Sequence, residues 1–324
     1  MRVFLEKLER DHRLTVKEYA ALLQGRTPAL AAELQKLADR SRRKHFANRV
    51  YLRCVLDVSS ICQHDCRHCT QGASADPHNR YRMRPREILD LCEEIWGLDI
   101  CSLMMRCGTD RFYGDEMLCG LIEKLRRQSL DCAITIAMGE RSRRSYERLY
   151  NSGADGYQLL QETADRECYE AIHSESLSFD RRLHCLNEIR DIGFQTGCGF
   201  LVGIPGQTDG ELARELKFLE EFQPQTVELV PVTPQDPEVL GYLISIIRLM
   251  LPQAMIIAPQ DPAAAVLAGA NVVQIGLLDR RESFPLCCGN PCDGPATTLS
   301  LAALRRALSE VGFEVAMEAP VWNG

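Results

Sequence analysis

The chain has 324 residues, 45% of them hydrophobic and 26% charged, with a formal net charge of −7. That is enough apolar material for one large core or two smaller ones, and the acidic balance argues against a general polyanion binder, although RSRRKH at 41–46 is locally basic and reads as a solvated helix face. The first twenty residues mix charges with apolar positions, unlike a signal peptide, and the most apolar stretch, 239–258, is broken by Arg248 and Pro252, so the expectation is a cytoplasmic protein with no membrane span.

In chain order, a helical region (1–48) precedes eight β-rich runs at 51–58, 102–107, 132–138, 157–161, 197–204, 226–232, 254–259 and 271–277. Amphipathic helical stretches lie between them at 86–97, 115–128, 144–153, 178–193 and 209–222, and 239–258 reads as a buried helix followed by a buried strand. Ser178 and Thr208 fit N-cap positions, and Gly153 and Gly193 fit helix stops. Strand, helix, strand in repeated order implies parallel strands. The pattern predicts an α/β fold, a (β/α)8 TIM-type barrel over 49–324 behind the extension 1–48, with a doubly wound open sheet as the second choice. In a barrel the chemistry belongs at the C-terminal ends of the strands.

Fifteen cysteines in a long chain without an export signal read as thiols of a reducing interior. Cys54, Cys101, Cys107, Cys132, Cys168, Cys185 and Cys198 have the surroundings of small core residues, and so many free thiols suit an anaerobic setting. Cys62, Cys66 and Cys69 differ. They sit in SSICQHDCRHCTQG (59–72), directly after the first predicted strand, with three and then two intervening residues.

Three chemistries compete for that motif. Structural zinc closes with four ligands, commonly from two paired motifs, and no second CxxC pair exists, which leaves His64 or His68 as the fourth. A redox Cys66–Cys69 pair leaves Cys62 unexplained. Three thiolates on a compact loop can instead hold three irons of a [4Fe–4S] cluster, with the fourth iron free to take a ligand.

The CxxxCxxC pattern resembles the radical S-adenosylmethionine (SAM) superfamily. The resemblance implies a cluster on Cys62, Cys66 and Cys69, the catalytic groups, whose open iron chelates SAM and whose electron splits it into methionine and a 5′-deoxyadenosyl radical. His68 stands where that superfamily usually has an aromatic residue near the adenine. The segments 37–69, 135–173 and 178–208 are similar to blocks of the HydE-type [FeFe]-hydrogenase maturases, and to their relatives methylornithine synthase and biotin synthase. The likeness covers roughly residues 1–280 and includes the patterns GADxYxLxxET and GxPGQT.

Carried over residue by residue, the resemblance makes Glu162 and Arg182 SAM contacts. Glu162 can accept hydrogen bonds from ribose hydroxyls or the amino group, and Arg182 can pair with a carboxylate. Gly203 and Gly206 would let backbone approach a ligand. Gly108-Thr109-Asp110 takes the place of a Gly-Glu-Asp segment that helps bind the SAM amino group; Thr109 lacks the carboxylate, which Asp110 could supply. Leu160 stands where an arginine is expected, and 230–252 is shorter than the usual substrate loop region. The tail, FPLCCGNPCDGP (284–295), leaves the family pattern, and Cys287, Cys288 and Cys292 are candidate ligands of an auxiliary iron–sulfur cluster. TTLSLAALRRALSEVG (297–312) reads as a closing amphipathic helix.

The implied activity is that of a HydE-like radical SAM enzyme acting on a small sulfur-containing or amino-acid-derived molecule, a hydrogenase-cofactor precursor among them. A methylornithine-synthase-like mutase, a biotin-synthase-like sulfur inserter using the auxiliary cluster, and a non-catalytic iron–sulfur carrier stay as alternatives. The implied partners are SAM, a small substrate, an electron donor such as flavodoxin or ferredoxin, and maturation proteins; neither nucleic acid nor a membrane is expected.

Overall fold

Three helices lead into the first strand in the computed structural model, which describes residues 1–74, 80–232, 237–259, 261–276 and 301–319. They are α1 (Arg2–Asp11), α2 (Val16–Gln24) and α3 (Pro28–Phe46). Thr15 and Glu18 close a reciprocal capping box on α2. Thr27 caps α3, whose first residue is Pro28, a position where the missing N–H costs nothing.

The barrel follows as β1 (Arg49–Asp57), α4 (Pro85–Trp96), β2 (Ser102–Arg106), α5 (Asp115–Gln128), β3 (Ala133–Ala137), α6 (Arg143–Asn151), β4 (Gly156–Gln158), α7 (Arg166–Ile172), α8 (Phe179–Ile192), β5 (Gln195–Val202), α9 (Asp209–Phe222), β6 (Thr226–Pro231), α10 (Pro237–Met250), β7 (Met255–Ile256), α11 (Pro262–Leu267) and β8 (Val272–Gly276). After it come α12 (Leu301–Glu310) and β9 (Glu314–Val315). Every pairing is parallel, in the order β7-β6-β5-β4-β3-β2-β1-β8. The two ends of that order meet: Ala258 N–H donates to the Val272 carbonyl at 2.8 Å and Asn271 N–H to the Ile256 carbonyl at 3.0 Å. The sheet therefore closes into an eight-stranded barrel, and the open doubly wound sheet is not adopted.

Inside and outside alternate along β1. Val50, Leu52, Cys54 and Leu56 face the helices in the main apolar core. The other set faces the lumen, where Tyr51, Met255, Ile257 and Val272 form a plug of their own. A second apolar group, Leu160, Leu201, Val230 and Val232, gathers at the C-terminal ends of β4, β5 and β6. Between the two lies a polar layer in which Arg53 of β1 reaches Gln158 of β4.

The helical extension is tied to the far side of the barrel. The Glu220 carboxylate on α9 accepts from Leu14 N–H at 2.9 Å and the Tyr19 hydroxyl at 2.7 Å, and the Tyr242 hydroxyl on α10 donates to the Leu22 carbonyl at 3.0 Å. Arg248, which interrupts the apolar run in the sequence, is the anchor of α10. Fully buried, it donates to the carbonyls of Gly269 (2.8 Å), Pro252 and Ala254 (both 2.9 Å) and to Asn271 Oδ1 (2.9 Å).

The predicted closing helix appears as α12, with Leu304 and Leu308 buried. β9 was not anticipated: it lengthens the sheet beside the start of β1, with Glu314 N–H on the Asn48 carbonyl (2.9 Å) and Ala316 N–H on that of Val50 (2.8 Å). Of the seven cysteines expected in core surroundings, Cys54, Cys107, Cys132, Cys185 and Cys198 are buried, whereas Cys101 and Cys168 are only partly so. No helix among the described residues is long and apolar enough to cross a membrane.

Candidate active site

Cys62, Cys66 and Cys69 lie on the loop that leaves the C-terminal end of β1, all partly exposed. The loop is held at several points. Gln63 N–H donates to the Thr109 carbonyl (3.1 Å), Arg67 N–H to that of Ile172 (2.8 Å) and Ala73 N–H to that of His64 (2.8 Å). On its return, Arg80 donates to the carbonyls of Ser60 (2.9 Å), Gln71 (3.1 Å) and Gly72. Gly108, at the end of β2, is the seat of Cys62: a Cβ there would stand 2.6 Å from the cysteine's Cβ and 2.9 Å from its sulfur. Burial pushes the Cys66 thiol up to about 11 and raises that of Cys69, and the negative charge of neighbouring thiolates adds to both. Thiols pushed up in this way give thiolates only beside cations, which a bound metal would supply.

Beside them stands Glu162. Its backbone is in the left-handed region, φ +68°, between Gly199 and Leu201 of the neighbouring strand: Glu162 N–H donates to the Gly199 carbonyl (3.0 Å), and its own carbonyl accepts from Leu201 N–H (2.9 Å). The carboxylate meets His173 Nε2 by a short hydrogen bond, His68 Nε2 at 3.6 Å and Arg182 Nη1 at 3.5 Å. Burial alone would raise its pKa; the Arg182 charge and the His173 contact outweigh burial and hold it well below the usual carboxylate range. Arg182 is itself buried, donating to Glu140 (2.8 Å) and the Leu160 carbonyl (2.5 Å), so it is no surface residue of its helix. Burial works against its charge, but Glu162 and Glu140 hold its pKa above the ordinary value.

The loop bearing Glu162 is clamped from below. Glu215 of α9 accepts from Ala164 N–H (2.7 Å), the Thr163 hydroxyl (2.9 Å) and Gln161 Nε2 (3.4 Å), and Gln161 Oε1 in turn takes Gly199 N–H (2.9 Å). Burial pushes the Glu215 carboxyl up to about 7.

Comparison with known proteins speaks to the same residues. The model of the radical SAM superfamily matches residues 56–219, which span the cysteine loop, Glu162 and Arg182.

The chain belongs to the radical SAM superfamily.

It is similar to the [FeFe] hydrogenase maturase subunit HydE of Thermotoga maritima, 29% identical with 100% of this chain and 97% of that protein covered. It is also similar to 3-methylornithine synthase of Methanosarcina acetivorans, 25% identical over 83% and 81% of the two chains. Among solved structures, methylornithine synthase (PylB) superposes with a TM-score of 0.85 at 23% identity, covering 97% of each chain, and HydG, a maturase of the [FeFe]-hydrogenase, with 0.81 at 19%, covering 97% of this chain and 75% of that one. The protein is thus a radical SAM enzyme of the branch that includes HydE, methylornithine synthase and biotin synthase, and the carrier without catalysis falls away.

The residues fit the group this family carries. Three thiols share one loop on a glycine seat, and the neighbouring histidines serve Glu162 and Ser176 instead of completing a zinc site: His64 Nδ1 is 2.9 Å from the Ser176 hydroxyl. His68 leans edge-on against His173, ring centroids 5.1 Å apart, and its Nδ1 is buried without a partner among the described residues. His68, Glu162 and His173 bring three ligand atoms within 4.8 Å of one another, but Arg182 already balances the Glu162 charge.

Asp110 departs from its expected place. Its side chain is 1% exposed and engaged by Arg82 (2.8 Å to each oxygen), the Ser59 hydroxyl (2.7 Å) and Phe112 N–H (3.0 Å). It pins the returning end of the cysteine loop to β2 and has no face turned to a ligand, because a carboxylate with four donors is fully used. Gly203 (φ +87°) and Gly206 (φ +83°) shape a turn stitched by Gln207, whose Oε1 accepts from Gly203 N–H (2.7 Å) and whose Nε2 donates to the Leu201 carbonyl (2.9 Å). Thr208 caps α9 as expected. Leu160 belongs to the apolar wall at the barrel mouth. Cys287, Cys288 and Cys292 lie outside the described residues, as does 233–236 within the shortened segment.

Sequence reasoning missed His173, Glu140 and Glu215, which reach the site from other elements. It also missed the lumen charges, visible only as Arg53, Asp57 and Glu228 inside otherwise apolar strand runs.

Proposed function

We propose that this protein is a HydE-like radical SAM enzyme, a hydrogenase-cofactor maturase or a close paralogue, that holds a [4Fe–4S] cluster on Cys62, Cys66 and Cys69 and works on a small molecule in the barrel. The observation that carries this reading is the Gly108-seated cysteine loop adjoining the Glu162–Arg182 pair at the C-terminal rim. When bound, the cluster supplies one electron to the sulfonium of SAM, releasing methionine and a 5′-deoxyadenosyl radical.

The chain's own residues do the rest. Glu162, kept ionised by Arg182, is an acceptor for ribose hydroxyls or the SAM amino group. Arg182 is locked by Glu140 and the Leu160 carbonyl, so its fork is set before ligand arrives. His68, with one buried nitrogen unserved among the described residues, is a candidate to meet a polar edge of SAM. Leu160, Leu201, Val230 and Val232 keep water from the mouth, which protects a radical from side reactions. An electron donor of the flavodoxin or ferredoxin type completes the cycle. The mutase reading gains from the polar layer that Arg53 and Gln158 form inside the barrel, and sulfur insertion depends on an auxiliary cluster at Cys287, Cys288 and Cys292.

The test is anaerobic reconstitution with iron and sulfide, reduction, and EPR with and without SAM, alongside an assay for 5′-deoxyadenosine. The expected result is a cluster signal that SAM perturbs and product that vanishes in the Cys62→Ala, Cys66→Ala, Cys69→Ala variant. Iron retained by that variant supports the auxiliary cluster. A wild-type cluster indifferent to SAM sinks the proposal.

A further inference from the structure

Four arginines stand at alternate positions in RYRMRPR (80–86), on the segment that returns from the cysteine loop to α4. Arg82, Arg84 and Arg86 are exposed, the first on Asp110 and the last on Asp90 of its own helix. Arg80 is partly buried and turns back into the loop. Its Nη1 donates to the carbonyls of Ser60 (2.9 Å) and Gln71 (3.1 Å), and its Nη2 to that of Gly72.

Those carbonyls bracket the three cysteines. Ser60 lies two residues before Cys62 and Gln71 two residues after Cys69, so one side chain ties residues 60–72 into a ring. The tie is fixed at its root: Ser60 N–H donates to the Tyr81 carbonyl (3.1 Å), and Tyr81 N–H to the Ser60 hydroxyl oxygen (2.8 Å). A guanidinium suits the task because it presents five donors in one rigid plane and accepts nothing. An ammonium on a flexible stem would meet the same carbonyls at a greater loss of freedom. A loop closed in advance keeps the thiols together before any metal arrives, which spares the ordering that metal binding would otherwise have to drive.

The tie also reaches the sulfurs. Each meets a main-chain N–H: that of His64 lies 3.4 Å from Cys62 Sγ, and those of Ser174 and Gln71 serve Cys66 and Cys69. Gln71 is therefore held at both ends, its carbonyl by Arg80 and its N–H by Cys69. Burial raises the Cys69 thiol, while the Gln71 N–H and the Arg80 charge act against that rise. Hydrogen bonds to the sulfurs and the charge around them set the potential of an iron–sulfur cluster. Both of these favour the reduced form, which is the more negative.

We propose that Arg80 is a positioning residue for the cluster: it closes the cysteine loop before assembly, holds the Gln71 N–H on Cys69, and so makes the cluster easier to reduce. This rests on the radical SAM reading of the site.

The experiment reconstitutes wild type, Arg80→Met, Arg80→Lys and Arg86→Met with iron and sulfide under anaerobic conditions, without SAM. The cluster potential is read by EPR during titration with dithionite, the hold on iron by the rate of loss to a ferrous chelator, and the fold by far-UV circular dichroism. Arg80→Met should make one-electron reduction at least tenfold less favourable, a fall of about 59 mV, and release iron at least tenfold faster. Arg80→Lys, which keeps the charge without the planar fork, should recover part of the potential but stay labile to the chelator. Arg86→Met should match wild type; the same changes there would trace them to general surface charge and overturn the proposal. Arg80→Met equal to wild type in both readings overturns it too, as does Arg80→Lys equal to wild type in both, since charge alone would then suffice. If Arg80→Met loses its fold, Arg80→Lys decides by the same two readings. A wild-type cluster that ignores SAM, tested separately, overturns the proposed function and leaves the role of Arg80 in the loop to these variants.

Discussion

At Gly108 the missing side chain is a requirement of the cysteine loop. The clash distances of 2.6 and 2.9 Å to Cys62 involve its Cβ and sulfur as well as the Ile61 carbonyl at 3.2 Å, so relief must come from moving the loop. Gly108→Ala should lose more than half of the iron bound on reconstitution, measured by iron and sulfide content, while far-UV circular dichroism stays that of wild type. Full iron loading would show that the loop has slack.

Glu215 gives a second residue-scale prediction. Its carboxyl titrates near 7 in the folded protein against an ordinary 4.5, so the folded state holds a proton that the unfolded chain releases. Stability therefore falls as pH rises from about 4.5 to 7 and levels off above, by roughly 1–3 kcal/mol. Glu215→Gln cannot ionise and lacks that pH dependence. Urea midpoints at pH 5 and pH 8 should show wild type losing ground to the variant; parallel losses would remove Glu215 as the source.

At this scale the sequence was legible where one short motif gathers the candidate ligands. Cys62, Cys66 and Cys69 stand out by spacing and Glu162 and Arg182 by resemblance, and the fold brings the two groups to the same rim of the barrel. His173, Glu140 and Glu215 act through contacts made by elements remote in the chain, and nothing local marks them. Asp110 misleads because its motif position suggests a ligand contact while Arg82 and Ser59 have already taken it.

Among the elements, long amphipathic helices were legible almost to the residue. α5 and α9 match the stretches 115–128 and 209–222, because charge and apolar periodicity run their full length. α7, at seven residues, is too short for a period to declare itself. β4 and β7 are shorter than their apolar runs: after Gln158 the chain turns toward the left-handed Glu162, and after Ile256 it keeps one hydrogen bond to β6, Ile257 N–H on the Val227 carbonyl at 2.9 Å, beside the closing contacts to β8. Arg248 shows how an apparent defect in a pattern can be the fastening of an element. Arg248→Leu should lower stability by about 3 kcal/mol or more, because carbonyls around β7 and the Asn271 side chain, which also holds Ile256 N–H at 2.8 Å, lose their common donor. A chemical-denaturation midpoint unchanged within error would contradict that role.

For the whole molecule, strict alternation of eight units made the closed barrel the first choice, with the open sheet second because a run of parallel strands is compatible with both. What decides it is the joint of β7 and β8, and that joint is slight. β7 has two residues, two register pairs with β6, and on its other side the two hydrogen bonds that meet β8. β1, by comparison, is paired along both edges. Hydrogen exchange in the native protein should accordingly be at least tenfold faster at 255–258 than at 50–56; equal protection would mean the staves loosen together.

A hoop with one weak clasp does not widen evenly under strain; it springs at the clasp. Should it spring there, β8 would stay with β1 and β7 with β6, and the gap between them would give material too broad for the mouth a side entrance.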